Sequence, residues 1–563
     1  MSAAARPFPS RIAKGQNERM RPVGTTELRA GWRDEAWQAL TRGSWNLLVV
    51  GGGVTGAGIA RRAAQAGLRT ALVEQRDFAW GTSSRSSKLV HGGLRYLAHL
   101  QIGVVRDSVA GREALLRTAP GLVEELGFLM PTFRGVSPGR TVMTAGLFAY
   151  DMLARRRTHR HLSAAEMRGL VPALRTEGLT GGFRYGDAWT DDARLVLRVL
   201  ADARAAGAVT LSYARVDRCL RDRAGCVAGA VLRDDGPEGG GRTAEVRASV
   251  VVNATGAAAD HLRADMGRPP RIRPLRGSHL FFPAERLPLA QPVGSGHPDD
   301  ARPVFAYPWD GVTIVGTTDV DETGSQALEP RISPAETAYL EAWLAYVFPA
   351  LELSARHAVA SMAGVRPVIG TGKADPSAES REHVVWEEDG LVTVTGGKLT
   401  TFDAIARDAL HRVGSRLPRL GSRPGGDRGV GPLDVLAGVP APDDPALDEA
   451  ALRRLAGRHG REAANAVSAA GPDELALIEG ARDRWLDIRW AARSEGVVHL
   501  DDLLLRRVRL GLQLPEGGAQ VLGRVRAIAQ PELGWDDPRW AAEEAAYRAL
   551  WATAYAPKPA GSA

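Results

Sequence analysis

Lysine is scarce in this chain, and that scarcity picks out two residues that could do chemistry. Of 72 basic residues only five are lysine: Lys14, Lys88, Lys373, Lys398 and Lys558. Arginine therefore serves almost wherever a positive charge suffices, and a retained lysine suggests a need for a compact ammonium. Lys14 and Lys558 lie near the termini and Lys373 in a polar loop, whereas Lys88 and Lys398 sit inside Gly/Ser/Thr-rich motifs. Lys88 ends the hydroxyl-rich loop Thr82–Lys88, whose hydroxyls and N–H groups suit contacts with a diphosphate. Lys398 lies in Gly396-Gly397-Lys398-Leu399-Thr400-Thr401, after the apolar run Leu391–Thr395. A strand, a glycine turn and a helix starting near Phe402, capped by Thr400 or Thr401, are expected there. The positive end of that helix, together with Lys398, would stabilise an anion.

A third motif is more specific. Asn46–Val50 is an apolar strand that leads into Gly51-Gly52-Gly53-Val54-Thr55-Gly56 and the helical run Ala57–Ala66. Gly67 closes the helix, and a second strand, Leu68–Val73, ends in Glu74 and Gln75. In such a unit Gly51 makes the tight turn, Gly53 admits a pyrophosphate to the backbone, and Gly56 lets helix and strand pack closely. The helix N-terminus, including Val54 and Thr55, receives the phosphates. Glu74 accepts hydrogen bonds from ribose hydroxyls. No second complete motif of this kind occurs, so the chain holds one dinucleotide and lacks a matching site for NAD(P).

These motifs are positioned by elements with different periods. Val104–Leu126 has helical spacing, Thr210–Gly256 alternates as short strands, and Val304–Asp319 again reads as strands. The two cysteines, Cys219 and Cys226, flank a hairpin turn and read as small core residues. Asp443–Tyr555 is Ala-, Leu- and Arg-rich with helical spacing, which predicts a separate helical domain. The Arg-rich segment Met1–Ser44 reads as an extension outside the core. No run of ~18 apolar residues is present to make a transmembrane helix. Met1–Ser10 lacks the apolar stretch of a secretory signal, so a cytoplasmic protein is expected. The net charge of +7 is dispersed and no nucleic-acid motif accompanies it.

The dinucleotide unit is followed by Gly81–Leu97, which contains Ser83, Ser84, Ser87, Lys88, His91, Gly92, Gly93, Arg95 and Tyr96. Joined in this order, the two resemble FAD-dependent glycerol-3-phosphate dehydrogenases, within the glycine-oxidase and D-amino-acid-oxidase group of flavoproteins. Further stretches similar to that family follow in order: Tyr185–Leu197, Val252–Gly256, Arg276–His279, Gly316–Asp319, Gly364–Pro367, Gly396–Thr401 and Asp501–Arg507. The resemblance runs from about Asn46 to about Tyr555 and leaves the segment before Ser44 unassigned.

The resemblance implies oxidation of sn-glycerol 3-phosphate to dihydroxyacetone phosphate, with hydride transfer from C2 to FAD and electrons passed to quinone. Phosphate needs cations, the hydroxyl needs a base near neutral pH, and the flavin's pyrimidine end needs positive charge. By resemblance Arg95, His279, Arg366 and Lys398 are catalytic, and Tyr96 and Arg381 join them in holding substrate. Arg381 matches less well, because Glu382 and His383 depart from the family pattern. His279 is the expected base. The expected FAD contacts are Gly51, Gly53, Val54, Thr55, Gly56, Glu74, Gln75, Thr82, Ser83, Ser84, Ser87, Lys88, His91, Gly92, Gly93, Ala254, Thr255, Gly256, Gly397, Lys398, Leu399 and Thr400. No metal site is expected.

The implied fold is an α/β FAD-binding domain of Rossmann-like βαβ type, an antiparallel β-sheet substrate cap and an α-helical C-terminal domain. The boundaries read as an extension over 1–44, the oxidoreductase domain over 45–420, a linker over 421–431 and the helical domain over 432–563. Within the oxidoreductase domain, FAD segments fall at about 45–105, 185–265 and 360–415, and cap segments at about 106–184 and 266–359. The apolar segment Thr141–Leu153 beside Arg155–Arg160 could dock on the anionic inner face of the cell membrane. A homo-oligomer is compatible with this reading. Two rivals stay open: an oxidase that gives electrons to oxygen, and an RNA-binding flavoprotein that modifies a base.

Overall fold

The structure, a computed structural model, describes residues 27–97, 101–135, 139–322, 329–372, 379, 382–417 and 447–561. The side chain of Arg95 is outside the described set, as are Arg381, the expected linker 421–431 and residues 1–26.

The dinucleotide unit folds as its sequence dictates. Strand β1 (Ser44–Val50) ends in the glycine turn, helix α2 (Val54–Gln65) follows, and strand β2 (Thr70–Val73) returns beside β1. Leu47, Leu48 and Val49 are buried completely, as befits a parallel strand covered on both faces. The neighbours of β1 come from far along the chain. Strand Thr243–Asn253 lies parallel to its other edge, and Leu391–Thr395 lies parallel to that strand in turn. Val209–Leu211 extends the sheet beyond β2. Helix Phe402–Val413 packs on α2, where Phe402 touches Gly58.

The second sheet is mainly antiparallel. Its path runs Val320–Asp321, Ile272–Pro283, Val312–Gly316, Pro303–Trp309, Val293–Gly296, Val123–Phe133, Leu179–Thr190 and Leu89–Val90. Strand Ala360–Ile369 also pairs along the whole of Ile272–Phe281. The expected segment boundaries therefore shift. Leu89–Val90, Tyr185–Thr190 and Ala360–Ile369 were expected on the FAD side, but their hydrogen-bonded partners put them in the cap sheet.

The C-terminal helices bury a small cluster of their own, Leu447, Ala451, Leu455, Ala466, Leu486 and Trp490, but share their larger core with the cap. Leu503, Leu504, Val508, Leu510, Trp540 and Tyr547 share one buried cluster with Phe281, Tyr307, Trp309 and Ile314 of the cap sheet. Each such side chain contributes about 1.5–3 kcal/mol when fully buried, so domain and cap stabilise one another. Leu503–Arg507 is a π-helical turn.

The described part of the segment before Ser44, residues 27–43, is not outside the core. Helix α1 (Trp32–Arg42) buries Trp32, Trp37 and Leu40 against the FAD-side core, and Leu28 joins them. Arg33 pairs with buried Asp234 at 2.6 Å, and the Leu28 N–H donates to Ser494 O at 2.7 Å. The helix thus ties the FAD side to the C-terminal helices. Leu28→Ala is expected to cost about 2 kcal/mol of stability, read as a lower melting temperature with flavin content unchanged. The cysteine expectation also needs correcting: the hairpin is present, but Cys226 is exposed and only Cys219 is partly covered.

Candidate active site

The first cluster surrounds the turn after β1. Gly51 has φ +115°, and a Cβ there would meet Ala254 O at 2.4 Å. The turn Ala254-Thr255-Gly256, at the end of the strand beside β1, therefore touches the glycine turn directly. Glu74 follows β2, and its carboxylate accepts from the Gly52 N–H (2.7 Å) and the Arg76 N–H (2.9 Å). Burial pushes its carboxyl above the ordinary range, against the pull of those donors. Gln75 follows it in the same turn, and Gly53, Val54 and Thr55 lie at the start of α2. The Val54 N–H donates to Ser83 Oγ at 2.9 Å. The helix start already presents its N–H groups to an oxygen, the arrangement that holds a phosphate.

The second cluster centres on His279. Its strand runs between Val312–Gly316 and Ala360–Ile369, with His279 opposite Gly316 and Met362. The ring lies across Gly316, where a Cβ would come within 2.2 Å of it. His279 is 1% exposed. Its Nε2 meets Ser87 Oγ at 2.9 Å, and its buried Nδ1 has no hydrogen-bond partner among the described residues. Burial, with Arg366 and Lys88 adding positive charge, holds its pKa well below the ordinary 6.5. The ring is therefore neutral at neutral pH. Arg366 donates to Thr317 Oγ1 (3.0 Å), Asp319 Oδ1 (3.1 Å) and Thr318 O (3.3 Å). Its side chain remains 29% exposed.

The third cluster joins Lys398 to Tyr96. The ammonium lies 3.8 Å from the Tyr96 ring centroid and donates to Ser108 Oγ at 3.0 Å. Such a cation–π contact contributes about 0.5–2 kcal/mol, depending on desolvation. Gly396 and Gly397 turn the chain with positive φ, and Leu399–Thr401 is a short 3₁₀ turn before the helix. Thr401 stands at the N-cap of that helix, one of the two positions expected, but its side chain makes no capping bond. Its hydroxyl donates back to Lys398 O at 3.2 Å and so fixes the turn that carries the lysine.

Several expected ligand contacts are committed elsewhere. The Lys88 ammonium is fully buried and donates to Asp192 Oδ1 and Ser84 O, both at 3.1 Å, so it faces the protein interior. Ser84 Oγ donates to Trp80 O (3.3 Å), and Thr82 Oγ1 to Val365 O (2.5 Å). These side chains shape the loop and do not reach outward. Arg95 lies on the short helix Leu94–Leu97, and His91 is half-buried just after strand Leu89–Val90. One residue the sequence reading left unassigned organises this region. Buried Asp187 accepts from the Gly92 N–H (2.9 Å), Arg112 (2.7 Å) and Tyr150 (2.9 Å), and thereby holds the His91–Gly93 turn. Asp187 lies within the Tyr185–Leu197 motif, but partners 37 to 95 residues away are not visible in sequence.

Comparison with known proteins agrees with this geometry. Residues 46–411 match the family model described as FAD dependent oxidoreductase, and residues 406–540 match the C-terminal domain of alpha-glycerophosphate oxidase. Glycerol-3-phosphate dehydrogenase 2 of Mycobacterium tuberculosis is 36% identical over 525 residues, which cover 89% of this chain and 87% of the relative. Aerobic glycerol-3-phosphate dehydrogenase of Staphylococcus aureus is 33% identical, covering 84% and 88%. This chain belongs to the FAD-dependent glycerol-3-phosphate dehydrogenase family. The solved glycerol-3-phosphate dehydrogenase from Bacillus halodurans, complexed with FAD, superposes with a TM-score of 0.71 at 26% identity, covering 93% and 98%.

Members of this family carry FAD, and the residues present here fit it. Gly51 and Gly56 leave room that a Cβ would fill, and α2 opens its N–H groups beside Ser83. Glu74 stands at the end of β2, where ribose hydroxyls can donate to it. The fold expectation of a βαβ FAD unit, a β-sheet cap and C-terminal helices is met.

Proposed function

We propose that this protein oxidises sn-glycerol 3-phosphate to dihydroxyacetone phosphate and delivers the electrons to a membrane quinone. The observation that carries the reading is His279: buried, neutral, held at Nε2 by Ser87 and, among the described residues, unpartnered at Nδ1. FAD, when bound, supplies the two-electron acceptor for the hydride that leaves C2. His279 takes the proton of the C2 hydroxyl, so that hydride and proton together account for the two hydrogens lost. Arg366, with Arg95 and Arg381, is assigned to the phosphate, whose charge suits bidentate guanidinium contacts. Lys398 and Tyr96 orient the substrate, and Lys398 adds positive charge near the acceptor.

The depressed pKa fixes the sign of the pH dependence. A base that must be neutral works above its own pKa and fails as pH falls through it. The acid limb of kcat is therefore expected below 6.5, the ordinary histidine value. A pH profile of kcat between pH 4.5 and 8 would reveal it; a limb at or above 6.5 would count against this base.

For quinone as acceptor the support is a surface. Helix Arg140–Ala154 exposes Val142, Phe148 and Met152 and is followed by Arg155, Arg156 and Arg157. Apolar side chains beside basic charge suit an anionic membrane, in which quinone dissolves. No helix among the described residues is long and apolar enough to cross a membrane. Oxygen is the competing acceptor, favoured by the match of the C-terminal segment to a domain named for an oxidase.

The test is anaerobic addition of glycerol 3-phosphate to the flavin-loaded protein, with glycerol as control. Bleaching of the visible band by the phosphate ester alone supports the substrate. A yellow protein that stays yellow removes the substrate assignment. Oxygen uptake in air, compared with reduction of a soluble quinone, then separates the acceptors.

A further inference from the structure

The motif Tyr185–Leu197 and Arg509, two residues past Asp501–Arg507, contribute to a buried charge network outside the three clusters described above. Asp192, on helix Asp192–Ala205, is completely buried and lies at its centre. One carboxylate oxygen accepts from the Ser86 N–H (3.0 Å) and Ser86 Oγ (2.7 Å). The other accepts from the Lys88 ammonium (3.1 Å) and from Arg509. Arg509 follows the π-helical turn of the C-terminal helices, and it also bonds Asp191 (3.1 Å) and Ser84 O (3.4 Å). Ser84, Ser86 and Lys88 are thus clamped, and Ser87 sits between two of them. Lys88 adopts φ +55°, a conformation costly for a non-glycine residue. Tyr307 of the cap sheet donates to Ser87 O at 2.6 Å. The hydroxyl of this held serine is the one that meets His279 Nε2.

We infer that Arg509 and Asp192 are positioning residues, through which the C-terminal helices hold the Ser84–Lys88 loop and thereby the orientation and burial of His279. Neither touches His279. They act through Ser86, Ser87 and Lys88. The loop also carries Ser83 on the Val54 N–H, so the same clamp bears on the phosphate end of the FAD cradle. The inference rests on His279 acting as the base.

The test uses the full-length, FAD-loaded protein with Arg509→Met, Arg509→Lys, Ser86→Ala and His279→Asn. Activity is expressed per bound flavin. Arg509→Met is expected to lower kcat at least tenfold with KM for glycerol 3-phosphate within threefold. It should also move the acid limb up towards the ordinary histidine value, because a loosened loop admits water to the ring. Arg509→Lys should recover part of both effects. A purely structural role would lower melting temperature and flavin content only, leaving kcat per flavin and the acid limb as in the parent; that result overturns the inference. Arg509→Met removes a partner from a buried carboxylate and can fail to fold. In that case Ser86→Ala, which deletes one hydroxyl, decides: a several-fold loss of kcat with the same limb shift supports the clamp, and parental values overturn it. Full activity in His279→Asn would instead remove the base assignment. The visible circular dichroism of bound flavin then still tests the clamp, since Arg509→Met or Ser86→Ala should change it, and an unchanged spectrum overturns the inference.

Discussion

Replacing His279 with asparagine is expected to lower kcat roughly 10²–10⁴-fold, the usual worth of a positioned general base. Asparagine is smaller than histidine and its amide overlaps Nδ1, so it falls short of Ser87, but the strand keeps its backbone pairing opposite Gly316. Flavin content should therefore match the parent, with a lower melting temperature from the lost volume. What is lost is the nitrogen that can take a proton. The measurement is anaerobic stopped-flow bleaching under saturating glycerol 3-phosphate, which reads the chemical step without the later acceptor. Bleaching at the parental rate would show that the hydroxyl proton leaves by another route. The acid limb should vanish with the imidazole, which separates loss of the base from general damage.

Gly56→Ala is expected to abolish stable FAD binding. A Cβ at this position would stand 1.9 Å from Gly51 O and 3.3 Å from Val49 Cγ1. Both neighbours belong to β1 and its turn, so neither can swing aside as a flexible side chain could. Helix α2 must back away from β1, and the N–H groups at its start move with it. The variant should purify colourless, with a flavin-to-protein ratio near zero and near-parental far-ultraviolet circular dichroism. Gly103→Ala is the control: among the described residues nothing beyond its own helix lies within 4 Å of its added Cβ, and the protein should remain yellow. A yellow Gly56→Ala protein with stoichiometric flavin would mean that the close approach does not matter for binding.

The dinucleotide unit was legible because its physics is local: one apolar strand, three glycines at fixed spacing and an acid about twenty residues on. His279 stood out only through the order of several short motifs, since nothing near it in sequence explains its burial. Lys88 shows where such reading fails. Its hydroxyl-rich neighbours pointed to a ligand, but the ammonium turns inward to Asp192, 104 residues away. The partner of Asp192 in the C-terminal helices, Arg509, is 317 residues away. In a chain so rich in arginine, no local feature distinguishes Arg509 from a surface residue. Helix α1 was misjudged for a related reason. Its apolar positions are few and widely spaced, and their burial depends on surfaces supplied by Tyr213 and by the C-terminal helices.

The strand order beside β1 has a consequence for how the protein is made. The dinucleotide unit is among the early parts of the oxidoreductase fold to leave the ribosome, yet one edge of β1 has no neighbour until Thr243–Asn253 follows. That neighbour in turn waits for Leu391–Thr395. At about 5–20 residues per second, the early strands spend tens of seconds as an apolar sheet with an open edge. Nascent chains should therefore occupy chaperones heavily over this interval, and flavin should be captured late, after the strand that precedes Lys398 has emerged.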